Sequence, residues 1–421
     1  MLGAERAVLV GVELPDEPID ERLRELEALA STAGVPTVAR TVQRRGRPDP
    51  SLYIGRGKVA EVQSAAAETD ADVVIFDHAL SPAQARNLEE ALGCKVIDRS
   101  QLILDIFAQR ATTKESKLQV ELAQLRYLLP RLRGWGAALT RLGGGIGTRG
   151  PGETQLELDR YKVMRRIHSL ERRLRRARGE RDLRRRRRER SDLPRVALVG
   201  YTNSGKSTLL NVLADASSLV EDKLFATLTP AVRRADLGGG RTVLVIDTVG
   251  FVQALPHELV PAFASTLEAA REAQVILHVI DAASADALGQ RDVVIETLTA
   301  SVFDGHPMPP RIDVWNKADL VGRSLDLHTD ADDGVAISAL RGDGIEELRA
   351  RIIEVLDRRC GELGRWLVPF AATSLVHELR RHHELVIEGY TESGMRIVAR
   401  LPHAQCARLR GSGAVPLEDV S

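Results

Sequence analysis

The run Gly200-Tyr201-Thr202-Asn203-Ser204-Gly205-Lys206-Ser207 has the spacing G-x-x-x-x-G-K-S. Glycines at both ends let the main chain curl so that successive N–H groups point inward, a cradle for phosphate oxygens. Before it, Val196-Ala197-Leu198-Val199 reads as a buried strand; after it, Thr208 to Leu213 reads as a helix start. A helix placed there adds its positive N-terminal end to the cradle. Lys206 is expected to reach the β- and γ-phosphates of a nucleoside triphosphate, and Ser207 to ligate Mg²⁺.

Downstream residues point to the base. Asn316-Lys317-Ala318-Asp319 fits N-K-x-D after the extended run Arg311 to Trp315. The Asp319 carboxylate can accept from both N1–H and the 2-amino group of guanine. Adenine lacks that donor pair, and a site built on it rejects the analogue that leaves it unpaired. Asp247-Thr248-Val249-Gly250 fits D-x-x-G after the strand-like Thr242 to Ile246. There Asp247 would hold Mg²⁺ through water, and the Gly250 N–H would sense the γ-phosphate. Ser338-Ala339-Leu340 fits a short guanine-supporting turn. Between the first loop and Asp247 runs Phe225-Ala226-Thr227-Leu228-Thr229-Pro230, in which Thr227 is the candidate that closes over Mg²⁺. Each motif is weak alone; five in this order, each after a strand-like run, predict GTP/GDP binding with Mg²⁺. Lys206, Thr227 and Gly250 are the candidate catalytic residues.

Two positions bear on turnover. Phe251 follows Gly250, where many GTPases carry a water-orienting glutamine, and phenylalanine has no hydrogen-bonding group. Slow intrinsic hydrolysis is the expectation. Asn203 stands where some glutamine-lacking GTPases help hold K⁺; the alternative is a loop asparagine bonding its own backbone.

Length and composition bound the elements that carry these motifs. A chain of 421 residues allows two to four domains, and 43% apolar residues suffices for their cores. Aromatics at 4% argue against base stacking as the main mode of RNA binding. Lys+Arg and Asp+Glu are equal at 59, a balance that conceals local asymmetry. Cys94, Cys360 and Cys406 lie far apart, which suggests neither a disulfide framework nor a zinc site. No signal peptide or membrane-spanning run is evident, so a cytoplasmic protein is expected, with a peripheral membrane-associated fraction as a further expectation.

The fold class expected is multidomain α/β. Residues 1–98 alternate strand-like runs (7–12, 35–42, 72–76, 95–97) with helix-like runs (19–32, 58–68, 82–92), the pattern of a parallel α/β domain. Gly55-Arg56-Gly57-Lys58 reads as a turn entering a helix. In 99–192, Leu104, Ala111, Leu118, Leu125 and Leu132 recur every seventh residue, as do Leu156, Val163, Leu170 and Ala177. They predict two long helices pairing antiparallel, the first ended or kinked by Pro130. Between them lies a glycine-rich, arginine-punctuated tip around Gly143 to Gly152, and Arg172 to Arg188 make the second helix intensely basic. Arginine pairs well with phosphate, so RNA contact is the favoured reading over a merely solvated face. The GTPase module is placed at 193–359. A small α+β domain follows at 360–421, with strands expected over 368–373, 384–388 and 395–401.

With these residues in view, the chain resembles the HflX family of ribosome-associated GTPases over nearly its whole length. The most specific parts are Tyr53 to Lys58, Asp98-Arg99 to Arg110, Lys117 to Leu125, and Gly143 to Asp159 with its Gly150-Pro151-Gly152-Glu153-Thr154-Gln155 core. Leu224 to Leu228 matches the family's first switch, whereas Thr229 and Trp315 depart from its usual aspartate and aliphatic residue. The resemblance implies binding at the large ribosomal subunit and its rRNA in the GTP state; a monomer is expected. The helical tip would then approach the peptidyl-transferase region. It further implies splitting or rescue of stalled ribosomes under stress, with ribosome-stimulated hydrolysis. The alternative is a GTP-gated RNA-binding switch without essential turnover.

Overall fold

The computed structural model describes residues 5–15, 19–132, 151–188, 193–215, 225, 231–238, 241–252, 270–321, 334–382, 385–401 and 403–417. They form two compact units. One holds residues 1–186, 220–229 and 249–266; the other holds 187–219, 230–248 and 267–421.

The first unit opens with β1 (Ala7–Glu13), α1 (Ile19–Thr32), β2 (Thr37–Arg44), α2 (Arg56–Glu68), β3 (Val73–Phe76), α3 (Pro82–Leu92), β4 (Lys95–Asp98) and α4 (Arg99–Arg110). The strands pair parallel in the order β2-β1-β3-β4. Nearly all of β1 and all of β3 are buried, as strands covered on both faces must be. Ser81 and Gln84 close a capping box at the start of α3, and Gly93 ends that helix at φ 70°.

Asp98 fastens the end of this sheet. Its buried carboxylate accepts from the Leu80 and Gln101 amides at 2.9 Å, from Tyr127 Oη at 2.8 Å and from Arg131 at 3.1 Å. Beside it, Arg99 donates to Asp77 at 2.9 Å. Tyr127 and Arg131 belong to α5 (Lys114–Arg131), so one carboxylate ties β4 to a helix two elements away.

The sevenfold leucine series predicted one helix through Ala111; the chain makes two. Ala111 turns extended at ψ 107°, and Thr113 caps α5 by accepting from the Ser116 amide. A cap that satisfies free helix N–H groups outweighs the heptad pattern there. Leu104 is therefore core to α4, while Leu118 and Leu122 pack with Ile167, Leu170 and Leu174 of α6 (Pro151–Arg188), flanked by Leu125, Leu129 and Val163. Of the glycine-rich tip expected to run from Arg133 to Gly152, residues 133–150 lie outside the described residues, while Pro151 and Gly152 are not loop but the first residues of α6.

The second unit contains β5 (Arg195–Gly200), α7 (Lys206–Leu213), β6 (Ala231–Asp236), β7 (Thr242–Asp247), β8 (Val275–Asp281), α8 (Ala287–Thr297), β9 (Arg311–Asn316), β10 (Gly334–Ala336) and α9 (Ile345–Cys360). Their sheet order is β10-β9-β8-β5-β7-β6, parallel except for β6. Leu198, Leu209, Leu213, Leu277 and Val314 lie in its buried core. Then come β11 (Glu362–Val368), α10 (Thr373–His382), β12 (Leu385–Thr391), β13 (Gly394–Leu401), α11 (His403–Gly411) and β14 (Val415–Leu417). These strands form an antiparallel sheet in the order β12-β13-β11-β14. The strand expected over 368–373 is corrected: β11 ends at Val368, and Pro369 leads into a 3₁₀ turn at Phe370–Ala372. Proline lacks the ladder donor that continuation would need.

Candidate functional site

The carboxyl ends of β5, β7, β8 and β9 carry the candidate residues, the edge where open α/β sheets bind ligands. β5 ends at Gly200 with φ 155°, and a Cβ there would lie 2.2 Å from the Val279 carbonyl oxygen. Gly205, at φ 92°, leads into α7, and a Cβ on it would lie 2.1 Å from Asn316 Nδ2. Neither position accommodates a side chain. Asn203 is exposed and left-handed at φ 61°. Gly205, the N-cap residue of α7, has no side chain to take up the helix's first amides, which are left directed at the loop.

Lys206 is buried, and its ammonium donates to the Tyr201 carbonyl at 2.6 Å and the Gly200 carbonyl at 3.2 Å. Burial pulls its pKa down to about 8, against the opposing pull of Asp247. Ser207 Oγ donates to Asp247 Oδ2 at 2.7 Å. Asp247 is buried at the end of β7, and the next residue, Thr248, locks the strand end by donating its hydroxyl to the Leu198 carbonyl at 2.7 Å. Thr202 Oγ1 and Ser204 Oγ are buried with no hydrogen-bond partner among the described residues. Buried hydroxyls without partners are costly, and a polyanion in the cradle supplies acceptors.

The base-side residues converge on Asn316. Its Nδ2 donates to the Ser204 carbonyl at 2.8 Å, and its Oδ1 accepts from the Ala339 amide at 3.0 Å. One side chain thus joins the phosphate loop, β9 and the Ser338-Ala339-Leu340 turn. Ser338 Oγ accepts from the Arg341 amide at 3.2 Å, tightening that turn, while Leu340 is exposed. Asp319 is largely buried, with Arg341 Nε 3.5 Å from its carboxylate. Lys317, left-handed at φ 63°, donates to Asp281 at 2.6 Å. Ala318 N–H bonds the Ile337 carbonyl at 3.0 Å. A carboxylate held this way can accept two donors from one edge of a base.

The structure therefore brings together Gly200 to Thr208, Asp247, Thr248, Asn316 to Asp319 and Ser338 to Leu340. Val249 and Gly250 are buried in the other unit, as is Phe225. Ala226, Thr227, Leu228 and Thr229 lie outside the described residues. Phe251 is buried, so its ring packs. Sequence reasoning missed Asp281 and Arg341. The apolar run Val275-Ile276-Leu277, ending in Asp281, was the available signal for the first; nothing local marked the second.

Among the described residues, no cluster of His, Cys, Asp and Glu forms a ready-made metal cage, and no helix is long and apolar enough to cross a membrane. The oxygens of Ser207 and Asp247 are hard donors of the kind Mg²⁺ takes when it keeps several waters and borrows phosphate oxygens.

Three family models match the chain: "GTP-binding GTPase N-terminal" at residues 20–108, "GTP-binding GTPase Middle Region" at 110–188 and "50S ribosome-binding GTPase" at 195–317. The GTPase HflX of Caldanaerobacter subterraneus subsp. tengcongensis is 43% identical over 414 residues, covering 96% of this chain and 93% of that protein. The GTPase HflX of Escherichia coli (strain K12) is 47% identical over 359 residues, covering 84% of this chain and 83% of that protein. Among solved structures, a GTP-binding protein from Sulfolobus solfataricus in complex with GDP is 25% identical, with a TM-score of 0.45, covering 83% of this chain and 98% of that one. With relatives of this identity over nearly its full length, the chain belongs to the HflX family of GTPases, and it binds and hydrolyses GTP.

Proposed function

We propose that this GTPase works on the large ribosomal subunit, splitting or rescuing stalled ribosomes, with the ribosome accelerating a slow intrinsic hydrolysis. The match of residues 195–317 to a family described as 50S ribosome-binding carries the ribosomal part of this reading. Four arginines of α6, Arg172, Arg173, Arg175 and Arg176, support it, being exposed with no ion pair among the described residues. Unpaired surface guanidiniums suit RNA phosphates.

In this reading the phosphate-loop amides and Lys206 neutralise the phosphates. Ser207, Thr227 and Asp247 are the residues that would hold Mg²⁺. When bound, that ion would neutralise charge on the β- and γ-oxygens. Gly250 and Thr227 report the γ-phosphate, and Asn316 and Asp319 select guanine. Lys317 supports that loop from Asp281. Phe251 offers no group to orient water, so the ribosome must supply order or charge, with K⁺ at Asn203 as one further source.

The same buried Phe251 favours a second reading, a GTP-gated RNA-binding switch in which turnover is incidental. Sedimentation with purified large subunits, with a non-hydrolysable GTP analogue or with GDP, tests the common core. Analogue-dependent co-sedimentation is expected, and its absence rejects the ribosomal target. A variant that binds but cannot hydrolyse GTP then separates the readings: full function in cells favours the switch.

A further inference from the structure

Asp319, the carboxylate proposed to choose the base, has a cation at its mouth. Arg341 Nε lies 3.5 Å from Asp319 Oδ2, and among the described residues no other cation pairs with that carboxylate. At this distance the contact is an ion pair rather than a hydrogen bond. The two side chains differ sharply in exposure, 61% for Arg341 and 6% for Asp319. A guanidinium lying mostly in solvent reaches a mostly buried carboxylate only from the carboxylate's open side.

The backbone beneath both is held. The Ser338 N–H donates to the Asp343 carbonyl at 3.0 Å and the Gly342 N–H to the Ser338 carbonyl at 2.7 Å, while Ser338 Oγ accepts from the Arg341 amide. Asp319 sits in the 3₁₀ turn Ala318–Leu320, joined to this segment through the Ala318 bond to the Ile337 carbonyl. The movable part is therefore the long Arg341 side chain. All of these residues belong to the second unit.

We infer that Arg341 competes with guanine for Asp319. A guanidinium presents adjacent N–H donors in one plane. The N1–H and 2-amino group of guanine present the same pattern, and they enter from the same open side. A guanine nucleotide must then displace Arg341 before its base is seated. This rests on the proposed role of Asp319 toward guanine. An exposed pair at this separation is weak. It occupies the carboxylate for only part of the time, which lowers apparent affinity in proportion, by about two- to fivefold.

The test measures GDP and xanthosine diphosphate affinity by calorimetry for the full chain and for Arg341→Ala, Arg341→Gln, Asp319→Asn and Asp319→Asn/Arg341→Ala. Arg341→Ala and Arg341→Gln are expected to bind GDP about two- to fivefold more tightly than the parent, with the gain shrinking as salt screens the parent's pair. Asp319→Asn is expected to lose GDP and prefer xanthosine diphosphate, whose C2 carbonyl accepts from the new amide. In that background Arg341→Ala should leave xanthosine diphosphate affinity unchanged, because the anion Arg341 pairs with is gone. Unchanged or weaker GDP binding in Arg341→Ala and Arg341→Gln overturns the competition, and so does an equal gain in the Asp319→Asn background. In either case a switched base preference in Asp319→Asn leaves the base assignment standing. If Asp319→Asn keeps GDP, the base assignment fails and the competition with it.

Discussion

Ser207 Oγ donates its proton to Asp247 Oδ2 at 2.7 Å. Donation in that direction makes the serine oxygen an acceptor toward a cation rather than toward Asp247, with the Asp247 carboxylate set behind it as the outer charge. The two residues meet because β5 and β7 are parallel neighbours, with Leu198 in register with Asp247, and α7 starts at Lys206, six residues after β5 ends at Gly200. Loss of the hydroxyl in Ser207→Ala should remove most of the Mg²⁺ dependence of GTP affinity. The ratio of affinities with Mg²⁺ and with chelator should fall about tenfold or more, while Ser207→Thr retains it. Calorimetric titration measures both; an unchanged ratio in the alanine variant contradicts the assignment.

Lys206 sets a pH dependence. Burial lowers its pKa to about 8, so the free protein loses the ammonium proton as pH rises through that value. Phosphate oxygens favour the charged form, so the bound state has the higher pKa and binding takes up a proton. Nucleotide affinity should thus be flat below pH ~7 and fall as pH rises through 8, approaching one decade per unit. GDP titrations from pH ~6.5 to pH ~9.5 in buffers of differing ionisation enthalpy check the slope and the proton count.

Gly205 and Asn316 cannot both keep their places if a methyl group is added. A Cβ on Gly205 would lie 2.1 Å from Asn316 Nδ2, at a backbone φ of 92°. Gly205→Ala should push Asn316 off the Ser204 and Ala339 backbones, loosening the phosphate and base sides together. Affinity for GTP and GDP should fall alike, by about tenfold or more. Thermal melting of the nucleotide-free variant separates this local effect from unfolding.

Asp98 predicts a stability effect remote from the nucleotide. Its carboxylate serves two amides, a phenol and a guanidinium at the junction of β4, α4 and α5. Removing it in Asp98→Ala strands all four, which should cost about 3–5 kcal/mol of unfolding free energy. Burial, with the Asp98 charge beside it, drives the Tyr127 pKa upward, so Tyr127 stays a donor at any ordinary pH. Denaturant titration of Asp98→Ala and Tyr127→Phe should show the larger loss for the first.

The candidate nucleotide residues that the fold brings together were legible because the chemistry proposed for them is local. Glycine spacing, one lysine and an apolar strand before each motif suffice to place Gly200 to Ser207, Asp247 and Asn316 to Asp319. What joins them was not legible: the hydrogen bonds of Asn316 to Ser204 and Ala339 cross 112 and 23 residues. Nor was the Lys317 pair with Asp281, which needs β8 and β9 side by side. At Ala111 periodicity misled, because a threonine cap two residues on carries no apolar signal. At 368–373 the apolar Phe370 and Ala372 suggested a strand, while Pro369 had already ended one. The grouping of Phe225 with the N-terminal unit is purely tertiary.

GTP hydrolysis by the full chain, alone and with purified large ribosomal subunits, tests the central claim most directly. The account predicts slow turnover alone and stimulation of about a hundredfold or more with subunits, lost in Lys206→Ala. Fast turnover alone, or no stimulation by subunits, would contradict it.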